Sequence, residues 1–180
     1  EAIAQGIQSV WPEASTTLLP LSDGGEGLLD CLLGVLEVEE RSSSITGPDG
    51  LPRRARWLYE PREGRAWIEA AEVIPLSAVG PDRVETASSR GIGELIRLAA
   101  SEGATSVAVG IGGTGTVDGG AGCLIGLGAV LRDAQGRAFD PGSGGLGEVH
   151  SLEWAAQDLP EVELLCDVRS PMVGERGAAR

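Results

Sequence analysis

The chain has 180 residues, 42% of them hydrophobic, and carries 27 acidic against 14 basic side chains for a formal charge of −13. That content supports a real hydrophobic core in one domain or two small ones, and it excludes nucleic acid and anionic membrane as natural partners, because so acidic a surface repels both. All fourteen basic residues are Arg, so any chemical step that needs a lysine must take it from outside these residues.

Ile3, Ile7, Val10 and Trp11 fall at helical spacing and predict an amphipathic helix ending near Trp11-Pro12. Thr16 to Leu21 reads as a short buried strand, so helix and strand together make half of a βαβ unit. Next comes Ser22-Asp-Gly-Gly-Glu-Gly27, followed by an apolar helix over 28–36. Asp23 and Glu26 thus flank Gly24 and Gly25 between a strand's carboxyl end and a helix start, the edge where open α/β sheets bind ligands. Either acid could serve as an ordinary helix cap, but a cap does not need the glycines.

From Glu37 the pattern shortens and alternates. Segments 38–46, 53–60 and 65–71, joined by Gly47-Pro-Asp-Gly50 and Pro61-Arg-Glu-Gly64, predict an antiparallel meander with Trp57 and Trp67 on its packed face. The fold class expected is α/β. Residues 1–40 would be part of a Rossmann-like parallel-sheet domain, and 41–180 a second, inserted α/β domain with a mixed sheet. A helix is predicted over 92–102. Ser88, Ser89 and Arg90 before it form either an anion site or a simple Ser89 cap.

Residues 107–109 alternate Val and Ala without charge, as a strand covered on both faces does, and then run into a glycine-rich loop. Gly112, Gly113, Thr114, Gly119 and Gly120 bring backbone N–H groups together, a concavity suited to phosphate or carboxylate, and Asp118 stands among them. A short helix expected within 123–130 would point its positive end at the same spot. Gly110-Ile-Gly-Gly-Thr-Gly115 also matches a dinucleotide fingerprint, with Asp133 at the distance expected of a ribose-binding acid, so an oxidoreductase using Gly110, Gly112, Gly115 and Asp133 is a rival reading. Against it, Asp118 would face a pyrophosphate, whereas a metal ion would make that acid a ligand.

Beyond the loop, 128–133 and 138–140 predict a hairpin, and Pro141 to Gly147 a flexible or ligand-facing loop. The strand opening at Val162 then delivers Asp167 at its carboxyl end, placed as metal ligand or general base unless nearby backbone N–H groups satisfy it. Cys31, Cys123 and Cys166 are odd in number and lie in apolar company, as in a reduced, cytoplasmic protein. The single histidine, His150, sits in an irregular stretch and offers no triad. No apolar run reaches bilayer length and no basic-then-apolar leader opens the chain. The chain begins inside a helical pattern and stops just past a loop signal, and so reads as a fragment.

Three acid-plus-glycine loops recur, built on Asp23 with Glu26, on Asp118 and on Asp167. Phosphoryl transfer wants this set: carboxylates for a divalent cation, backbone N–H groups for phosphate oxygens, and a base for the attacking hydroxyl. No Gly-x-x-x-x-Gly-Lys-Ser/Thr loop and no protein-kinase signature set occurs. A third reading keeps the glycine pocket as a small-anion binding module without chemistry.

Three stretches resemble signatures of the bacterial glycerate kinase family: 20–27 (Pro-Leu-Ser-Asp-Gly-Gly-Glu-Gly), 111–122 (Ile-Gly-Gly-Thr-Gly-Thr-Val-Asp-Gly-Gly-Ala-Gly) and 166–178, which opens Cys-Asp-Val-Arg-Ser-Pro. The resemblance implies ATP- and magnesium-dependent phosphorylation of D-glycerate, usually to 2-phosphoglycerate, in a cleft between a Rossmann-like domain and a second α/β domain. On that reading Asp167 is the preferred base, with Asp118 as a second catalytic acid. Asp23 and Asp167 hold metal. Glu26 and the glycines of both loops, with Thr114, Ser88 and Arg90, contact substrate or phosphate. A homodimer is compatible with it. The chain departs from the family at Val117 and Ser170, where asparagine is usual, and in lacking a Thr-rich stretch near 88–93. The resemblance also places an amino-terminal Asp-Ser-Phe-Lys loop and a later Pro-Gln-Lys-Gly loop outside these 180 residues, so that they would be inactive alone.

Overall fold

A mixed sheet of five strands organises the computed structural model, which describes residues 2–155, 158–169, 171–175 and 177. Ser170 and the last residues of the 166–178 stretch therefore lie partly outside the described residues. The meander expected after residue 37 forms as β1 (Glu39–Thr46), β2 (Pro52–Glu60) and β3 (Arg65–Glu69), paired antiparallel with Arg41 opposite Trp57 and Leu58 opposite Trp67. β4 (Ser106–Gly110) then pairs parallel to β3 with Glu69 beside Gly110, and β7 (Glu161–Leu165) pairs parallel to β4. The strand order is β1-β2-β3-β4-β7. The parallel strands β3, β4 and β7 end at the same edge, which is what assembles the site.

One face of the sheet is covered by α4 (Arg90–Ser101). Its apolar residues Ile92, Leu95, Ile96 and Ala99 recur at three- and four-residue spacing and are buried, while Arg90 and Arg97 point outward. They meet Trp57, Ala66, Ile68, Val107 and Val109 in one core. Burial of each large side chain there contributes about 1.5–3 kcal/mol. Against α4 packs α5 (Ala121–Gly126), at a distance only glycines permit. A methyl group on Gly93 would sit 2.1 Å from the Cys123 carbonyl oxygen, and one on Gly126 would sit 2.1 Å from that of Arg90. Part of the glycine content of 110–126 thus serves helix packing.

Several expectations need correction. Residues 16–21 run without strand pairing, and Leu18, Leu19 and Leu21 are exposed, because a strand exists only where a neighbour accepts its ladder and none of the described residues does. α1 (Ala2–Val10) forms as predicted but buries no residue. Trp67 is only partly buried and lies on the face opposite Ala66 and Ile68, as period-two alternation requires; the Arg65 guanidinium stacks over it at 4.4 Å. β5 (Val130–Arg132) touches Ala138 through a single bridge, and its true partner is β6 (Ser151–Glu153), a strand the sequence pattern did not reveal. Among the described residues no helix is long and apolar enough to cross a membrane.

Candidate active site

The 22–27 loop leads into α2 (Leu28–Leu33) and lies across the carboxyl edge of the sheet. Gly110, the last residue of β4, must be glycine because a methyl group there would meet the Gly24 carbonyl oxygen at 2.4 Å. The Gly112 N–H donates to that same carbonyl at 3.3 Å, and the Ile111 N–H donates to the Leu165 carbonyl at the end of β7 at 3.2 Å. On its other side the glycine loop is pinned by the Gly115 N–H to the Ile74 carbonyl and by the Leu76 N–H to the Gly113 carbonyl, just after α3 (Ala70–Val73). Four chain segments therefore meet at one point.

They enclose a cleft of about 620 Å³. Asp23, Gly25, Glu26, Gly112, Gly113, Thr114 and Asp167 line it, so seven of the residues singled out in the sequence converge. The carboxylates of Asp23, Glu26 and Asp167 are exposed to it, and among the described residues no basic side chain lines it. Asp23 is held by its own loop, accepting the Gly25 N–H at 2.9 Å. Among the described residues the N–H groups of Glu26 and Gly113 take no backbone acceptor, and the two lie close together. Gly24 stands behind the wall, packed against the Leu165 carbonyl at positive φ. Leu76, Ile111, Cys166 and Val168 complete the lining. No sequence signal marks Leu76, which reaches the cleft only through the pairing of 74–76 with 113–115.

Asp118 does not join them. It is 2% exposed, and its carboxylate accepts four hydrogen bonds, from the Ser89 N–H and hydroxyl at 2.8 Å each, from the Gly120 N–H at 3.0 Å and from the Gly122 N–H at 3.1 Å. Three of these bonds fall on one oxygen and one on the other, so the buried carboxylate is committed to tying the start of α4 to the start of α5 and is turned away from the cleft. The positive end of α5 is consumed in the same way, since the Cys123 N–H donates to the Ser89 hydroxyl at 2.9 Å. Ser88 donates to Asp140 and Arg90 pairs with Glu94. Neither they nor Gly119 and Gly120 line the cleft.

The dinucleotide reading fails on geometry. Its fingerprint needs a helix opening within the glycines, whereas here Thr114 bridges Pro75 and α5 starts only at Ala121. Asp133 closes its own turn, accepting from the N–H groups of Gln135 and Arg137 and from the Arg137 guanidinium, and these bonds hold its carboxyl below the usual range.

Among the described residues the cleft presents three carboxylates and no basic side chain, so a phosphate chain bound there requires a cation beside it. Among the described residues no group of three or more acidic, His or Cys side chains could cage a metal. The donor set instead fits magnesium, which keeps its waters and binds through one or two carboxylates together with substrate phosphates.

Cysteine chemistry offers a check on this arrangement. Cys166 is exposed at the cleft, whereas burial, with the Asp118 charge adding to it, pushes the Cys123 thiol up to about 11. At a pH near 8 about one Cys123 thiol in a thousand is ionised, and the thiolate is the reactive form. Brief iodoacetamide treatment is expected to label Cys166 well ahead of Cys123 in peptide mass spectra. Equal labelling would count against this packing of α5.

Comparison with known proteins gives a consistent picture. The glycerate kinase family model matches residues 1–180. The chain is 36% identical to glycerate 2-kinase of Escherichia coli K12 over 100% of its own length and 49% of that protein's. It is 37% identical to glycerate kinase of Bacillus subtilis 168 over 99% of its length and 48% of that protein's. A crystal structure provisionally described as glycerate kinase 2 of Salmonella typhimurium LT2 superposes with a TM-score of 0.82 at 37% identity, covering 98% of this chain and 49% of the other. The chain spans about half the length of the relatives it matches.

Proposed function

The chain belongs to the glycerate kinase family, and on that premise we propose that the full-length protein transfers the γ-phosphoryl group of ATP to a hydroxyl of D-glycerate, giving 2-phosphoglycerate. The observation that carries this reading is the cleft at the carboxyl edge of β4 and β7, where Asp23, Glu26 and Asp167 face exposed glycine backbone. Magnesium, bound with the nucleotide, supplies the positive charge that these carboxylates and the phosphates require. Asp23 is the residue proposed to hold it, its carboxylate oriented by the Gly25 N–H. Glu26 and Gly113 offer N–H groups to an anionic oxygen.

Asp167 is proposed as the base. It stands just past the end of β7, exposed to the cleft and across from the 23–27 loop. In the step, the acceptor hydroxyl oxygen forms the new bond to phosphorus as the bond from phosphorus to the β,γ-bridging oxygen breaks. The hydroxyl proton passes to the Asp167 carboxylate, and ADP leaves. Residues 1–40 are assigned to the first domain of the complete protein and 41–180 to the second. Unpaired cysteines and a nucleotide substrate fit a cytoplasmic location.

A coupled ADP-release assay with ATP, magnesium and D-glycerate tests the proposal, run on the full-length protein beside the 180-residue chain. Turnover is expected in the first alone, because among the described residues no basic side chain lines the cleft to orient the nucleotide. A folded full-length protein that leaves D-glycerate untouched would sink the reading.

A further inference from the structure

Glu69 is a buried acid with no part in the chemistry just described. It ends β3 between Ile68 and Ala70 and is 3% exposed. Its two oxygens have separate partners. One accepts the Gly27 N–H and the other the Leu29 N–H, both at 3.1 Å. Those donors are 42 and 40 residues away in sequence, in the loop and first turn of α2. α2 has no cap of its own, for its N-cap is Gly27, so the acceptor that a Ser or Asp usually provides locally comes from the sheet. Glu69 also pairs in register with Gly110, against which Gly24 packs directly.

We propose that Glu69 is a positioning residue that fixes the 23–27 loop on the sheet edge and so presents Asp23 and Glu26 to the cleft. A neutral buried side chain of the same length could not do this. Glutamine would keep one acceptor oxygen and turn an NH₂ donor toward an N–H donor, leaving one of the two loop bonds unmade. The consequence for catalysis rests on the kinase reading above; the consequence for the loop does not.

The test compares Glu69→Gln and Glu69→Asp with wild type in the full-length protein by two readouts. Hydrogen exchange at amides 24–30 is expected to accelerate in Glu69→Gln while amides 106–110 keep their protection. The magnesium concentration for half-maximal ADP release is expected to rise about tenfold or more, an effect a merely structural residue would not produce. Glu69→Asp keeps the charge but, one methylene shorter, reaches one N–H and is expected to fall between. Unchanged exchange at 24–30 overturns the proposal, as does altered exchange with unchanged magnesium half-saturation. If Glu69→Gln does not fold, Glu69→Asp decides by the same two readings, and behaviour identical to wild type overturns it. A wild-type protein inert toward D-glycerate defeats the kinase reading alone, and exchange then decides for Glu69.

Discussion

Replacing Asp167 with Asn in the full-length protein is expected to lower kcat about a hundredfold to ten-thousandfold, the range a positioned general base contributes, while the fold stays intact. Asp167 is exposed and outside any strand, so the amide is sterically equivalent and removes only the capacity to take a proton. Its effect on stability should stay within about 0.5 kcal/mol, as for other surface substitutions. The measurement is steady-state ADP release beside a thermal unfolding curve. Near-normal kcat would remove Asp167 from the role of base and leave it, at most, a ligand for the nucleotide's cation.

Asp118 is expected to behave in the opposite way. Truncating it to Ala strands the Ser89, Gly120 and Gly122 N–H groups and the Ser89 hydroxyl in a buried site, at a cost of about 3–5 kcal/mol in urea unfolding. Asp118→Asn should lose less. Its remaining oxygen can take the three bonds now made by one carboxylate oxygen, and only the Gly120 N–H goes without an acceptor. Full stability in Asp118→Ala, joined to lost turnover, would restore the acid to the cleft and overturn the structural role. The two aspartates thus make a crossed test in which one substitution reads chemistry and the other reads packing.

That crossing also shows what was legible in advance. Both acids lie beside glycines or a strand end, and sequence spacing cannot distinguish a carboxylate turned toward solvent from one turned into a ring of backbone donors. The difference arises because Ser89, which gives two of the four bonds, approaches Asp118 only when α4 and α5 pack, a contact between segments 29 residues apart, while Gly120 and Gly122 donate from within the loop. For the same reason Ser88 and Arg90 look like a second anion site in the sequence but are already occupied by Asp140 and Glu94. The rival dinucleotide fingerprint fails likewise, since glycine spacing fixes which residues can turn but not where the next helix starts.

Patterning and local chemistry by themselves determined a good deal. Alternation and turn residues set the β1-β2-β3 meander, the apolar stripe set α4, and the uncharged run before Gly110 set a strand covered on both faces. The acid-plus-glycine stretches 23–27 and 112–114, with Asp167, named most of the cleft. These features are local, and hydrophobic period or turn chemistry records them within a few residues. Tertiary structure alone decided which strands became neighbours: β3 beside β4, β4 beside β7, and β6 rather than the nearer 138–140 segment against most of β5. It also placed Glu69 beneath the 23–27 loop and left 16–21 unpaired. Those outcomes depend on which backbone donors and acceptors find each other across long stretches of chain, and that pairing is an energetic property of the folded whole.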